Sequence, residues 1–252
     1  MRDLPTTRPE DALHKAWLYR ILTAFADDQA LMACLVFKGG TCAAMQGWLD
    51  RFSVDLDFDL LTKDVDACGV AAVRARMEDH FVDLGLAIKD ASVQVPQYYL
   101  KYEAPQRGRS VLKVDVTNMP PTANTYTHAE FVSIGRVLPI QTRETMFANK
   151  LVALTDRYCE HGTIAGRDVY DIHYFFEHGY SFNEGVVAER TGKQPAVYLE
   201  ELTSFIDDKV TQQGLDEDLN TLVPYTRFRV IRKTLKTEVL MHLRDARTRL
   251  ES

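Results

Sequence analysis

The sequence predicts an α+β protein, with a mixed-sheet N-terminal half followed by a mostly helical C-terminal half. Three observations predict it. Up to residue 119, strand-like alternation and helix-like three-and-four spacing of apolar side chains are interleaved. Pro120-Pro121 then halts regular structure. Beyond residue 142 the helical spacing dominates. We place a core at residues 1–125 and a helical domain at residues 126–252.

Residues 9–30 space Leu13, Trp17, Leu18, Ile21, Leu22 and Phe25 at helical steps, with Glu10 and Asp11 in the first turn. Residues 31–37 are continuously apolar and stop at Lys38-Gly39-Gly40-Thr41, which reads as a strand, a glycine turn and a helix over 42–49. In residues 51–61, Ser53, Asp55, Asp57 and Asp59 alternate with Val54, Leu56, Phe58 and Leu60. That is a strand with one apolar and one acidic face. A helix is expected over 65–84, with strands near 87–95, 98–103 and 110–117. Beyond a short stretch to Pro139, helices are expected over 143–160, 167–177, 194–213 and 228–250.

Composition narrows the function classes. The 252 residues carry 36 acids against 30 bases, a net charge of -6, which excludes the global positive field of a general nucleic-acid binder. With 46% hydrophobic and 26% charged residues, the chain has the balance of a folded globular protein. Cys34, Cys42, Cys68 and Cys159 lie far apart without a C-x-x-C pair, so they are expected to be reduced thiols. The seven histidines lack paired ligand spacing for zinc. No secretory pattern and no bilayer-length apolar run is seen, so a cytoplasmic location without membrane contact is expected.

The main chemical signal is Asp55-Leu56-Asp57. Residues two apart on a strand project from one face, so both carboxylates can reach a divalent cation. The same alternation also suits an exposed strand with solvated acids. Leu60 stands where an EF-hand loop needs its glycine, and Arg51-Phe52-Ser53 replaces the long apolar strand of an aspartyl phosphatase. Gly39-Gly40 lets backbone approach an anion at a helix start, although the P-loop spacing is absent. Residues 227–252 hold eight bases against three acids, a local +5 that suits either an RNA backbone or a solvated face.

Phe37-Lys38-Gly39-Gly40-Thr41, followed about ten residues later by Arg51-Phe52-Ser53-Val54-Asp55-Leu56-Asp57-Phe58, closely resembles the nucleotidyltransferase family of the AbiEii toxins. Asn149-Lys150-Leu151-Val152-Ala153-Leu154 with Arg157, then Arg167-Asp168-Val169-Tyr170-Asp171, extend the resemblance. It covers residues 31–60 and 140–180.

The resemblance implies a nucleotidyltransferase fold with an NTP as substrate. Lys38, Gly39, Gly40 and Thr41 would cradle its phosphates, and Asp55 and Asp57 would hold catalytic Mg²⁺ or Mn²⁺. Asp115, on the strand at 110–117, is the candidate third acid, with pairing to Lys113 or Lys101 as the alternative. Lys150 would neutralise phosphate charge, Asp171 would orient it or assist the acceptor, and Asp168 would be structural. Ser53, in phase with the acids, is a nucleotide-side hydroxyl where a kinase-like antitoxin could add phosphate. The implied reaction is NMP transfer to a tRNA 3′ end in a toxin–antitoxin or abortive-infection system. The alternatives are nucleotidylation of a protein hydroxyl and a non-catalytic nucleotide-binding module.

Overall fold

The computed structural model describes residues 3–6, 8–9, 11–61, 69–92, 94–104 and 109–252. The chain packs as two compact units: Met1–Pro120 with Tyr126–Gln141, and Pro121–Thr125 with Thr142–Ser252.

In the first unit the elements run α1 (Asp11–Asp27), α2 (Gln29–Met32), β1 (Leu35–Lys38), α3 (Gly39–Met45), β2 (Asp55–Leu60), α4 (Val70–Asp83), β3 (Ala87–Ala91), β4 (Gln97–Lys101), β5 (Val111–Asn118), β6 (Tyr126–Phe131) and β7 (Arg136–Gln141). Among the described residues the strands form one mixed seven-stranded sheet in the order β3-β4-β5-β2-β1-β7-β6. β2 is therefore central, antiparallel to β1 and parallel to β5. Leu56 and Phe58 on its apolar face are buried, and Phe58 packs against Phe25 of α1 and Phe37 of β1.

Several sequence expectations are corrected here. Leu31 belongs to α2, not to a strand, because the Asp28 carboxylate caps the Ala30 and Leu31 N–H groups and is itself held by Arg76 and His80. The glycines are the first turn of α3 itself. The start of the helix expected over 65–84, together with Cys68, lies outside the described residues.

The stretch assigned to the helical half from residue 126 forms the β6–β7 hairpin, and β7 joins the sheet beside β1. The division at 125/126 thus misplaces Tyr126–Gln141. Pro139 hid this strand, since proline cannot donate to a ladder. In β7 it stands opposite His128 of β6, and its neighbour Ile140 is the residue registered with Phe37 of β1. Cys34 is disulfide-bonded, which corrects the expectation of a reduced thiol there; Cys42 and Cys159 are free. Spacing along a chain does not encode which sulfurs the fold brings together.

The second unit holds α5 (Arg143–His161), α6 (Gly166–Glu177), α7 (Glu184–Thr191), α8 (Pro195–Lys209), α9 (Gln212–Leu219), α10 (Tyr225–Ile231) and α11 (Leu235–Glu251). Thr142 caps α5 through the Thr145 N–H, and Gly162 closes it in the left-handed conformation. The segment read as one helix over 194–213 breaks after Lys209, where Thr211 caps α9. That over 228–250 divides into α10 and α11.

Candidate functional site

In the sheet unit the site is built where β1 turns into α3 against β2. Gly39 has φ +79°, and a Cβ there would collide with Asp57 Oδ2. A Cβ on Gly40 would lie 2.8 Å from Ser53 Oγ and 3.0 Å from Arg51 Nη2. The glycine pair is thus sandwiched by a carboxylate, a hydroxyl and a guanidinium. Lys38, at the N-cap of α3, provides no side-chain cap to the first-turn N–H groups, and the glycines that carry two of them adjoin this cluster.

Thr41 is fully buried and its hydroxyl donates to the Asp55 carbonyl at 2.5 Å. Its side chain therefore positions β2. Ser53 is buried against Gly40 in the same way, ahead of the strand.

Register lays out one row of side chains. Asp57 is paired with Lys38 of β1, while Asp55, Asp57 and Asp59 pair with Lys113, Asp115 and Thr117 of β5. Paired residues point to the same face. Asp59 is fully buried: Oδ1 accepts from Lys38 Nζ at 2.6 Å, and Oδ2 from Gln141 Nε2 at 2.5 Å and the Tyr126 hydroxyl at 3.2 Å. Thr117 Oγ1 also takes Lys38 Nζ at 2.6 Å. The Lys38 ammonium, expected in a phosphate cradle, is paired with a buried acid in the ligand-free chain. Asp115 lies beside Asp57 as expected of a third acid, yet it pairs with Lys113 at 2.6 Å and accepts from Gln97 at 3.3 Å.

Two buried groups hold the cluster from behind. His14 Nε2 donates to the Val54 carbonyl at 2.8 Å, and Nδ1 accepts from the Tyr102 hydroxyl at 2.6 Å. Burial pushes the His14 pKa below the ordinary histidine value, which keeps this tautomer neutral. Burial, reinforced by the Asp57 charge, raises the Cys42 thiol well above its usual range, so it is inert packing.

In the helical unit, Lys150 on α5 pairs with Asp171 at 2.8 Å and Asp168 at 3.3 Å, and Arg157 reaches Asp168 at 3.2 Å. Both acids are buried and lie one turn apart on α6. Lys150 and Arg157 share a face, as their seven-residue spacing predicts. Both acids fix Lys150, Asp171 at the shorter distance, and Asp168 is shared with Arg157. Arg190 braces the preceding residue, donating to the Asn149 carbonyl at 3.1 Å and Oδ1 at 2.7 Å.

A family model for the nucleotidyl transferase AbiEii toxin of type IV toxin–antitoxin systems matches residues 20–233. The chain belongs to the AbiEii nucleotidyltransferase toxin family. The AbiEii match spans both units and every site residue from Lys38 to Arg190. Solved structures agree at the level of fold. A Helicobacter pylori protein described as a nucleotidyltransferase has a TM-score of 0.62 at 20% identity, with 97% of each chain covered. JHP933 from Helicobacter pylori has a TM-score of 0.59 at 19% identity, over 98% of this chain and 95% of that one. An antigenic nucleotidyltransferase-like protein from Paracoccidioides brasiliensis has a TM-score of 0.52 at 11% identity, over 83% and 95%. No curated protein sequence matches.

The donor set of this AbiEii chain can be tested against a divalent metal. Asp55 and Asp57 are half-buried hard oxygen donors on one face. Among the described residues no group of three His, Cys, Asp or Glu side chains forms a metal cage. Magnesium characteristically takes one or two carboxylates and completes its shell with water and substrate phosphate, so the Asp55–Asp57 pair fits it while Asp115 is tied to Lys113 beside them.

Sequence reading missed Arg51, whose buried guanidinium borders Gly40, and the anchoring role of Asp59. The RFS lead-in before β2 is the only signal that pointed to Arg51. Of the eight C-terminal bases, Arg227, Arg232, Lys236, Arg247 and Arg249 are ion-paired to Glu177, Asp216, Asp207, Glu200 and Asp245. Arg229, Lys233 and Arg244 are exposed, with Tyr225 beside Arg229. Among the described residues no helix is long and apolar enough to cross a membrane.

Proposed function

We propose that this AbiEii-family chain transfers a nucleoside monophosphate from an NTP to the 3′ end of a tRNA, with Mg²⁺, and that a cognate antitoxin protein opposes it. One observation carries the reading: two carboxylates, Asp55 and Asp57, share a face of the central strand beside the uncapped, glycine-opened start of α3.

Nucleotidyl transfer needs positioning and charge neutralisation more than a reactive side chain. Asp55 and Asp57 would hold the divalent ion. When bound, that ion neutralises phosphate charge and favours attack by the acceptor hydroxyl. The N–H groups of Gly39 and Gly40 donate to phosphate oxygens, and the absence of a side chain at either position admits that approach. Arg51 and Ser53 hold Gly40 in place. In the helical unit, Lys150, fixed by Asp168 and Asp171, is the residue to which the family resemblance assigns phosphate charge.

An RNA acceptor is supported by the exposed bases Arg229, Lys233 and Arg244 with Tyr225, which suit a backbone and a stacked base. Modification of tRNA would arrest translation and so account for a toxin.

The test is incubation of the purified chain with each labelled NTP and separate RNA and protein fractions, with and without magnesium. Magnesium-dependent label in tRNA is expected. Label in protein alone rejects the tRNA assignment in favour of a protein hydroxyl. Full growth inhibition by Asp55→Ala or Asp57→Ala in cells would show that the chain acts without catalysis.

A further inference from the structure

Two lysine–acid pairs flank the acidic strand on its functional face, and they differ in how firmly they are closed. Lys38–Asp59 is sealed: Asp59 is 0% exposed and both of its oxygens are taken by buried or half-buried donors. Lys113–Asp115 is open: the side chains are 26% and 30% exposed, and among the described residues Gln97 alone adds a hydrogen bond to the carboxylate. Solvent reaches this pair, as it does not reach Asp59. Its position is set by register, Lys113 opposite Asp55 and Asp115 opposite Asp57. Any ligand brought to Asp55 and Asp57 therefore arrives beside both partners of a bond that solvent already reaches.

We infer that Lys113 is a phosphate-binding residue held in reserve by Asp115, and that the pair exchanges partners when nucleotide is bound. The inference rests on the nucleotide-transfer reading above. In the free protein the ammonium and the carboxylate neutralise each other. On binding, Asp115 gives up Lys113 for the divalent ion that accompanies the triphosphate, and Lys113 gives up Asp115 for a phosphate oxygen. No covalent bond changes, and each charge leaves one opposite charge for another. Asp115 is then both the third acid of the site and its resting block. Its carboxylate repels the phosphates that Lys113 would attract until a cation arrives.

The test is a double-mutant cycle read by calorimetric titration of the full chain with inorganic tripolyphosphate in EDTA and with ATP in magnesium. In EDTA, Asp115→Asn should bind tripolyphosphate about threefold more tightly than wild type, and Lys113→Met about threefold more weakly. The gain from Asp115→Asn should vanish in the Lys113→Met background, and Lys113→Arg should bind as wild type does. In magnesium the order reverses, with Asp115→Asn binding ATP more weakly than wild type. Unfolding midpoints of all variants show that each is folded, as expected for partly exposed positions.

A gain of equal size in the Lys113→Met background reflects simple charge removal and overturns the inference, as does unchanged binding by Lys113→Met. If wild type binds neither ligand in either condition, the nucleotide-transfer reading falls and the exchange with it. If wild type binds while the cycle is additive, the exchange alone falls.

Discussion

Gly39 tolerates no side chain for two independent reasons, its left-handed φ and the Asp57 carboxylate packed over it. Gly39→Ala should cost more than about 1 kcal/mol in urea unfolding and should weaken nucleotide binding as well, since Asp57 must move. Asp59 makes the opposite demand, for a charge that cannot be removed alone. Asp59→Ala leaves the Lys38 ammonium without its buried partner and should cost about 3 kcal/mol. A Lys38→Met, Asp59→Leu double variant should recover part of that loss, measured by the same unfolding experiment. At this scale the sequence was legible where residue type and spacing alone carry the chemistry, as for Asp55 and Asp57, which share a face; the pairing of Lys150 with Asp171 was legible only through the family resemblance. It was illegible where a role depends on partners distant in the chain. Nothing near Asp59 announces Tyr126 and Gln141, whereas Asp115 takes Lys113, one of the two lysines that its place on the strand offered.

Among the elements, α1 sets the approach to β2, because His14 bonds the carbonyl just ahead of Asp55. Burial lowers the His14 pKa, so below about pH 6.5 the unfolded chain takes up a proton that the folded chain refuses. Stability should therefore fall as pH drops through that window and stay flat above it for this group. His173, lowered by burial against the pull of Glu238, acts in the same direction in the helical unit. The informative quantity is thus the difference between wild type and His14→Gln. The variant should show a shallower loss of thermal stability between about pH 6.5 and pH 5. Elements with a long, uninterrupted period were legible, among them α1, β2, β5, α5 and α6. β7 was masked by Pro139, α7 is only eight residues long, and α2 exists because of a cap whose ion-pair partners lie on α4.

For the whole molecule, the net charge of -6 and the C-terminal basic excess point in different directions for an RNA acceptor. Internal ion pairs absorb most of that excess, leaving Arg229, Lys233 and Arg244 exposed. An Arg229→Glu, Lys233→Glu double variant should weaken tRNA binding and flatten its salt dependence by about 0.7 in log–log slope for each phosphate the protein no longer neutralises. Arg227→Glu should instead reduce stability, because it breaks the pair with Glu177. The general plan, sheet first and helices after, was readable because hydrophobic period changes along the chain. The division between the halves was not, because a compact unit is defined by the segments that return to it.

That return has a practical outcome for anyone wishing to dissect the protein. The backbone passes from sheet unit to helical unit after Pro120, comes back at Tyr126 and departs again at Thr142. The excursion Pro121–Thr125 supplies Thr122 and Ala123 to Glu189, Asn124 to Asn149 and Thr125 to Thr145. Scission at any one peptide bond leaves one fragment without a piece of its own fabric. The halves cannot be expressed, shuffled or transplanted as simple modules; a graft of the helices must carry this five-residue stitch with it.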